Sequence, residues 1–195
     1  DHFFFSHFPT CGDKTCGMVT GSFKVTNQFQ KTGSFGTVSL ADCLRTEFYK
    51  VSAKNIFKMV GLIEPDYEDE FKKLKPEKYV ELFGLSDDVH GFMTRADAVV
   101  VPSYHEGMSN VSLEAAATGR PVISSRIPGC MEIVDDGVTG ISFNVKDVTA
   151  LVEALEKFIL LSQKQRRDMG IKGRKKIEEQ FNRTLVVKEY AKLLD

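Results

Sequence analysis

The sequence contains no tryptophan, only six prolines and only four cysteines among its 195 residues. It also has no apolar run that approaches the ~18 residues needed to cross a bilayer. The first residue is Asp, and the opening stretch DHFFFSHF is too short for a secretory signal. We therefore expect a fragment of a longer protein. Its length suffices for one sizeable domain, with or without a small appendage.

The cysteines show no C-x-x-C pair and no regular spacing. They are Cys11, Cys16, Cys43 and Cys130. A chain of this length has a core of its own, so a disulfide framework is not expected. His2 and His7 lie close to the first two cysteines, but the spacing fits no familiar zinc pattern. The prediction is that the chain holds no metal.

Charge is nearly balanced, with a formal net charge of −1. A nucleic-acid-binding surface spread over the whole chain is therefore not expected. Basic residues are concentrated at 164–176, the seven being Lys164, Arg166, Arg167, Lys172, Arg174, Lys175 and Lys176. A solvated helix face is the favoured interpretation, because Glu178 and Glu179 follow directly. Contact with an anionic membrane surface is the alternative.

Residues 102–125 organise the rest of the chain. The apolar run ADAVVVPS before them is typical of a buried parallel strand. SNVSLEAAAT, residues 109–118, predicts a helix that begins at Ser109 or Asn110 as N-cap and stops at Gly119. PVISS, residues 121–125, predicts the next strand.

This strand–loop–helix unit predicts an anion site. Gly107 allows the backbone to approach a ligand closely. The free N–H groups of Gly107, Met108, Ser109 and Asn110, together with the helix dipole, favour a phosphate. The carboxylates of Glu106 and Glu114 repel phosphate, so their partners are expected to be hydroxyl groups. A ligand that carries both phosphate and hydroxyl groups is a sugar nucleotide.

The stretch EGMSNVSLE resembles the E-x(7)-E motif of retaining GT-B glycosyltransferases of the bacterial polysaccharide-building class. The flanks PSYHEG, LEAAATGRPVISS and IPGCMEIVDDGVTG recur in the same order, and the resemblance covers roughly residues 55–195. It implies an α/β fold with a doubly wound parallel sheet, the Rossmann-like C-terminal half of a GT-B enzyme. We assign residues 51–195 to that nucleotide-sugar-binding domain, and 1–50 to an atypical segment with a linker and a first strand and helix.

The remaining pattern alternates strands and helices, as a doubly wound sheet requires. Strands are predicted at 55–63, 79–84 and 139–144. Helices are predicted at 65–74, 129–137, 147–162 with Asp147 as cap, 163–181 and 184–195, and a loop followed by a short helix is predicted at 85–96, with Ser86 or Asp87 as cap. Ligands of such sheets bind at the carboxyl ends of the strands, where Glu106, Gly107 and the 84–89 loop are expected.

The resemblance also implies roles. Glu106 is the catalytic candidate, holding the donor sugar near its anomeric carbon, and Glu114 binds the ribose. The 107–110 backbone holds the diphosphate of a UDP- or GDP-linked donor, and the 84–89 loop meets the base. The reaction is transfer to a carbohydrate or lipid-linked acceptor in polysaccharide biosynthesis, with no cofactor. The resemblance also implies a cytoplasmic location, free or peripheral at the inner membrane face. The acceptor-binding half is missing, so this chain alone is expected to bind donor without turnover.

Four further residues have weaker assignments. His105 and Arg126 are candidates for contact with the ligand. Arg120 is expected to cap a helix C-terminus, and Glu132 to brace the 127–140 loop. The family's G-R-L…K-G phosphate pattern is not found, the nearest basic residues being Arg45 and Lys50. The alternative is therefore a catalytically silent nucleotide- or protein-binding module of the same fold, and an epimerase of related architecture ranks lower.

Overall fold

The computed structural model describes residues 2–5, 22–23, 56–60, 62–63 and 80–193. Six strands form one sheet in the order β5-β3-β1-β6-β7-β8, and every neighbouring pair is parallel. Their bounds are β1 His2–Phe5, β3 Ile56–Met59, β5 Val80–Leu82, β6 Ala98–Val101, β7 Val122–Ser125 and β8 Gly140–Phe143. A separate two-stranded parallel sheet joins β2 (Ser22–Phe23) to β4 (Leu62–Ile63). The prediction of a parallel sheet is confirmed.

The strand order reverses at the middle of the main sheet. From β1, the chain builds outward through β3 and β5 on one side and through β6, β7 and β8 on the other. Phe3 pairs with Phe57 on one side and with Ala98 on the other. This is the doubly wound arrangement, and its topological switch point lies between β1 and β6.

Strand β6 is buried on both sides of the sheet. Each residue of AVVV has no measurable exposure, and alternate residues of a strand point to opposite faces. Both faces must therefore be covered. Val99 and Val101 belong to a core cluster with Met93 of one helix and Val111 of another.

Five helices lie within residues 80–193. They are α1 Val89–Arg95, α2 Asn110–Ala117, α3 Val148–Leu160, α4 Gln163–Gln180 and α5 Arg183–Ala191. The predicted N-cap Ser109 is confirmed, since its Oγ accepts a hydrogen bond from the N–H of Ser112. Asp147 caps α3 in the same way, as predicted, and Gly119 ends α2 with φ +76°.

Three boundaries differ from the prediction. The cap of α1 is Asp88, whose Oδ1 accepts from the N–H of Gly91 at 2.8 Å; neither Ser86 nor Asp87 has this place. The predicted strand 55–63 is split into β3 and β4, which belong to different sheets. The helix predicted at 129–137 is wrong, and the stretch is a series of turns. Gly129 adopts φ +84°, which a right-handed helix does not accommodate.

The amino-terminal segment contributes β1 to the centre of the main sheet. Residues 2–5 therefore lie within the same sheet as the 51–195 domain. The helix predicted at 65–74, the strand and helix predicted within 31–44, and Arg45 and Lys50 lie outside the described residues. Among the helices that are described, none is long and apolar enough to cross a membrane.

Candidate active site

The loop after β6 lies at the carboxyl edge of the sheet, beside the topological switch point. It runs from Pro102 to the cap Ser109, where α2 begins. Pro102 and Ser103 are buried, whereas Gly107 and Met108 are exposed. A Cβ placed on Gly107 would meet no atom within 4 Å. The tip of the loop is thus open to a ligand at the place where ligands of doubly wound sheets bind.

Three backbone N–H groups at the tip are available to an anion. Those of Gly107, Met108 and Asn110 have no acceptor in the described part of the chain. The expectation of a fourth at Ser109 is wrong, because its N–H donates to the carbonyl oxygen of Gly129 at 2.9 Å. Unpaired N–H groups ahead of a helix carry partial positive charge and favour a phosphate.

Gly129 locks this loop to the loop after β7. Its backbone adopts φ +84°, and an added Cβ would lie 2.8 Å from the carbonyl oxygens of both Glu106 and Gly107. Such a contact is too close for any side chain, so only glycine fits. Glu132 Oε2 accepts the Gly129 N–H at 2.7 Å, which confirms its predicted bracing role. The two loops therefore form one unit.

Glu106 is held as a half-buried carboxylate at the base of the open tip. Its Oε1 accepts a hydrogen bond from Ser103 Oγ at 2.7 Å. Burial raises the pKa of Glu106 above 4.5, and this outweighs the Ser103 hydrogen bond and the charge of His105, which lower it. The nearby exposed His105 is thus close enough to act on Glu106 electrostatically, although its contact with a ligand stays a prediction.

A buried polar layer supports the loop from below. Ser112 Oγ donates to Ser109 Oγ at 2.9 Å. The Cys130 thiol is fully buried, and burial followed by the Glu106 charge raises its pKa to about 11, against the hydroxyls of Ser109 and Ser112. A thiol with that pKa is protonated and inert at neutral pH, so Cys130 fills space beneath Glu106.

Glu114 projects from α2 at the surface. Desolvation raises the pKa of Glu114, and the charge of His90 in α1 lowers it. The start of α1 therefore lies near Glu114, and it is reached through the 84–89 loop. That loop makes a turn at Gly84, φ +63°, and the Phe83 ring meets Phe92 edge-on at 4.7 Å. Glu114 of the E-x(7)-E pair thus lies near α1, the helix that the 84–89 loop leads into.

Two arginines have protein partners. Arg126 forms an ion pair with Asp136, Nη2 to Oδ2 at 3.3 Å, and both side chains are exposed. Its contact with a ligand stays a prediction. Arg120 donates from Nη2 to the carbonyl oxygen of Thr94 in the last turn of α1. The expectation that Arg120 caps a helix C-terminus is confirmed.

Lys146 was missed by the sequence reasoning. Its Nζ lies 5.4 Å from the centre of the Tyr104 ring, so the loop after β8 meets the loop after β6. Lys146 has φ +63°, the left-handed conformation that non-glycine residues seldom adopt. The sequence signal for it is its place two residues after a predicted strand of the sheet. Among the described residues there is no cluster of His, Cys, Asp or Glu that could hold a metal ion.

Known proteins are similar to this chain in sequence. Residues 32–160 match the family described as "Glycosyl transferases group 1". The capsular polysaccharide biosynthesis glycosyltransferase CapM of Staphylococcus aureus is 31% identical over 134 residues, 67% of this chain and 35% of CapM. The lipopolysaccharide core biosynthesis glycosyltransferase LpsE of Rhizobium meliloti is 31% identical over 115 residues, 59% of this chain and 34% of LpsE. The chain spans about a third of the length of these relatives.

Solved structures share the fold. Anabaena HepE, crystallised with UDP and glucose, superposes with a TM-score of 0.71 at 18% identity, covering 99% of this chain and 48% of HepE. Nearly the whole of this chain thus matches about half of HepE. The sheet order, the loop at its switch point and the family match agree: the chain belongs to the group 1 glycosyltransferases, as the C-terminal half of their GT-B fold.

Proposed function

We propose that the chain is the donor-binding half of a retaining glycosyltransferase, which transfers a sugar from a nucleotide sugar to a carbohydrate or lipid-linked acceptor in polysaccharide biosynthesis. One observation carries the proposal. Three unpaired backbone N–H groups stand at the switch point of the sheet, between a half-buried and an exposed carboxylate. Group 1 membership supports the reaction class.

Each part of the site suits a different part of the donor. The N–H groups of Gly107, Met108 and Asn110 bind the diphosphate and stabilise the charge that develops on it as it leaves. Glu106, an acceptor anchored by Ser103, receives hydrogen bonds from the sugar near its anomeric carbon. Glu114 receives them from the ribose, and the 84–89 loop meets the base.

The donor would be UDP- or GDP-linked, and the comparisons support a polysaccharide role and the UDP-linked form. CapM and LpsE are described as biosynthetic enzymes of capsular polysaccharide and lipopolysaccharide core. HepE has been crystallised with UDP-glucose. The acceptor would bind to the other half of the GT-B fold, so this chain alone binds donor without turnover. Such an enzyme would work in the cytoplasm, free or at the inner membrane face.

The two glutamates give the sharpest test. A charge-assisted hydrogen bond contributes about 1.5–3 kcal/mol, so Glu114→Ala should weaken binding of the bare nucleoside diphosphate roughly ten- to a hundredfold. Glu106→Ala should leave that affinity nearly unchanged and weaken the intact nucleotide sugar. Calorimetric titration with UDP, GDP and their sugar conjugates measures both.

Glu153→Ala is the matched control, since it removes an exposed carboxylate from α3. Equal loss of diphosphate affinity in both test variants would contradict the division of roles. Failure of any nucleotide to bind the wild-type chain at millimolar concentration would contradict the function.

A catalytically silent module is the second candidate. It is favoured by one observation, that the G-R-L…K-G phosphate pattern is not found in the sequence. The same titrations separate the two: a silent module binds the nucleoside diphosphate as tightly as its sugar conjugate, and Glu106→Ala then changes neither.

A further inference from the structure

A cavity lies at the opposite edge of the sheet from the candidate active site. Its volume is about 580 Å³, and one wall comes from Asp97, directly before β6, and from Gly119–Pro121, directly before β7. The other wall is the first turns of α4. The four residues of β6 span roughly 13 Å, so the cavity shares no residue with the loop after that strand.

Close packing of α4 builds the cavity. A Cβ on Gly170 would lie 2.1 Å from the carbonyl oxygen of Gly119, so the helix touches the 119–121 loop backbone directly. This contact fixes the first turns of the helix opposite the amino ends of β6 and β7. The basic side chains of those turns therefore line a cleft that is open to solvent.

The lining is strongly cationic. Arg120, Lys164, Arg166 and Arg167 face one carboxylate, Asp97. Arg166 is anchored, since it donates to the carbonyl oxygens of Leu161 and Ile159 and stacks on the Phe158 ring.

Lys164 and Arg167 are exposed and unanchored. Neither has an acidic partner among the described residues, although Arg174, Lys175 and Lys176 further along the same helix all do. Lys172, which does not line the cavity, also has no acidic partner among the described residues, so two of these three cations of α4 lie at the cavity.

Arg120 adds an unsatisfied donor. Its Nη2 donates to the Thr94 carbonyl oxygen, but its Nε is buried and has no hydrogen-bond partner among the residues that the structure describes. A buried donor left unpaired is costly, and most in native proteins find an acceptor. An anion in the cavity would supply one.

We propose that this cavity binds a phosphate group. Guanidinium groups match the oxygens of phosphate in charge and geometry, and the N-terminal end of the α4 dipole adds to the attraction. The Ser162–Gln165 capping box engages the N–H groups of those two residues, and the proposed contacts come from the side chains that line the cavity. The phosphate is that of a free anion or of a phospholipid headgroup. The proposal goes beyond the donor site and does not depend on it.

The test compares two double variants of the 195-residue chain. Lys164→Ala with Arg167→Ala removes the unanchored cations of the cavity. Lys172→Ala with Lys175→Ala removes the same charge from exposed positions of the same helix that do not line it. Each chain is titrated with inorganic phosphate by calorimetry at matched ionic strength, and is co-sedimented with phosphatidylglycerol and with phosphatidylcholine vesicles.

The cavity variant should lose at least tenfold in affinity for phosphate or for phosphatidylglycerol vesicles, and the control variant less than twofold. The probe that binds identifies the source of the phosphate. Equal losses in both variants would mean diffuse attraction to the helix and would overturn the proposal, as would failure of both probes with the wild-type chain. Nucleotide affinity should be unchanged in both variants, so the result is separate from the test of the donor site.

Discussion

At the scale of the residue, the burial of the Glu106 carboxylate lowers the free energy of unfolding. Burial raises the pKa of its carboxyl group, so the folded chain holds the proton more tightly than the unfolded chain. Stability therefore falls as pH rises from about 4.5 through the folded-state pKa, and the cost is fully present above that pKa. Ser103 and His105 reduce this cost without removing it. A charge retained at such a cost is typical of a functional site.

Glu106→Gln should accordingly stabilise the chain at pH 7, because the amide still accepts the Ser103 hydrogen bond and carries no charge to desolvate. The gain should disappear at pH 4, where the wild-type carboxyl group is protonated. Urea unfolding at the two pH values measures the difference. Glu156→Gln, at an exposed position of α3, should show no such dependence; an advantage for Glu106→Gln that persists at pH 4 would contradict this account.

Individual site residues could be predicted from sequence where local chemistry decides the structure. Ser109 and Asp147 cap helices because a side-chain oxygen precedes an apolar period. The sequence predicts a free N–H at Ser109. Its acceptor in the structure, the carbonyl oxygen of Gly129, could not be foreseen because it comes from a loop twenty residues away. Lys146 could not be predicted for the same reason, because its contact with Tyr104 forms only when the folded sheet brings the two loops together.

At the scale of the element, α5 is the least integrated helix of residues 80–193. Its apolar side chains are exposed: Leu185 by 43%, Val187 by 54% and Tyr190 by 68%. By contrast, Phe181 just before it packs against the core. A helix that buries so little apolar area contributes little to the stability of the sheet.

Ending the chain after Asn182 should therefore lower the melting temperature by less than about 4 °C, the shift that ~1 kcal/mol produces in a domain of this size. Differential scanning calorimetry of the shortened chain measures it. Ending the chain before α4 instead should abolish cooperative unfolding, since α4 contacts α2 and β8. A collapse of the fold on removing α5 alone would show that the helix belongs to the core.

Elements with a strong period could be predicted, and those set by backbone geometry could not. Helices α3 and α4 appear at the predicted positions. For α3 the reason is that its cap Asp147 and its apolar spacing agree. The stretch 129–137 looks helical by composition, but Gly129 is held at φ +84° by contact with the 106–107 backbone. For α1, Ser86, Asp87 and Asp88 are all good caps, and the sequence alone does not rank them.

At the scale of the whole molecule, the sheet is protected unevenly. Strands β6 and β7 have no exposed residue and lie between other strands, whereas β5 and β8 are at the edges. The amides of Val99–Val101 and Val122–Ser124 should open only by global unfolding.

Native-state hydrogen exchange followed by mass spectrometry should show these amides exchanging last, and those of α5 exchanging at least a hundredfold faster. Addition of saturating nucleoside diphosphate should slow exchange in the 103–113 segment without changing that of α5. Uniform exchange across β6 and α5 would contradict the uneven distribution of stability.

The doubly wound arrangement could be predicted from the alternation of strands and helices, but the place of its first strand, β1, could not. HFFF at 2–5 has no turn signal or period that distinguishes a central strand from an apolar tail. Its place depends on pairing with β3 and β6, which are remote in sequence. Such non-local pairings leave no local trace.

The central place of β1 also affects how the chain is made. Residues 2–5 leave the ribosome before both neighbours of that strand, since one neighbour begins at Ile56 and the other at Ala98. During most of the synthesis of this segment, three consecutive phenylalanines have no strand to pair with on at least one side. Unpaired apolar strands associate with other chains. A nascent chain halted before β6 should therefore depend on chaperones far more than one that has passed it.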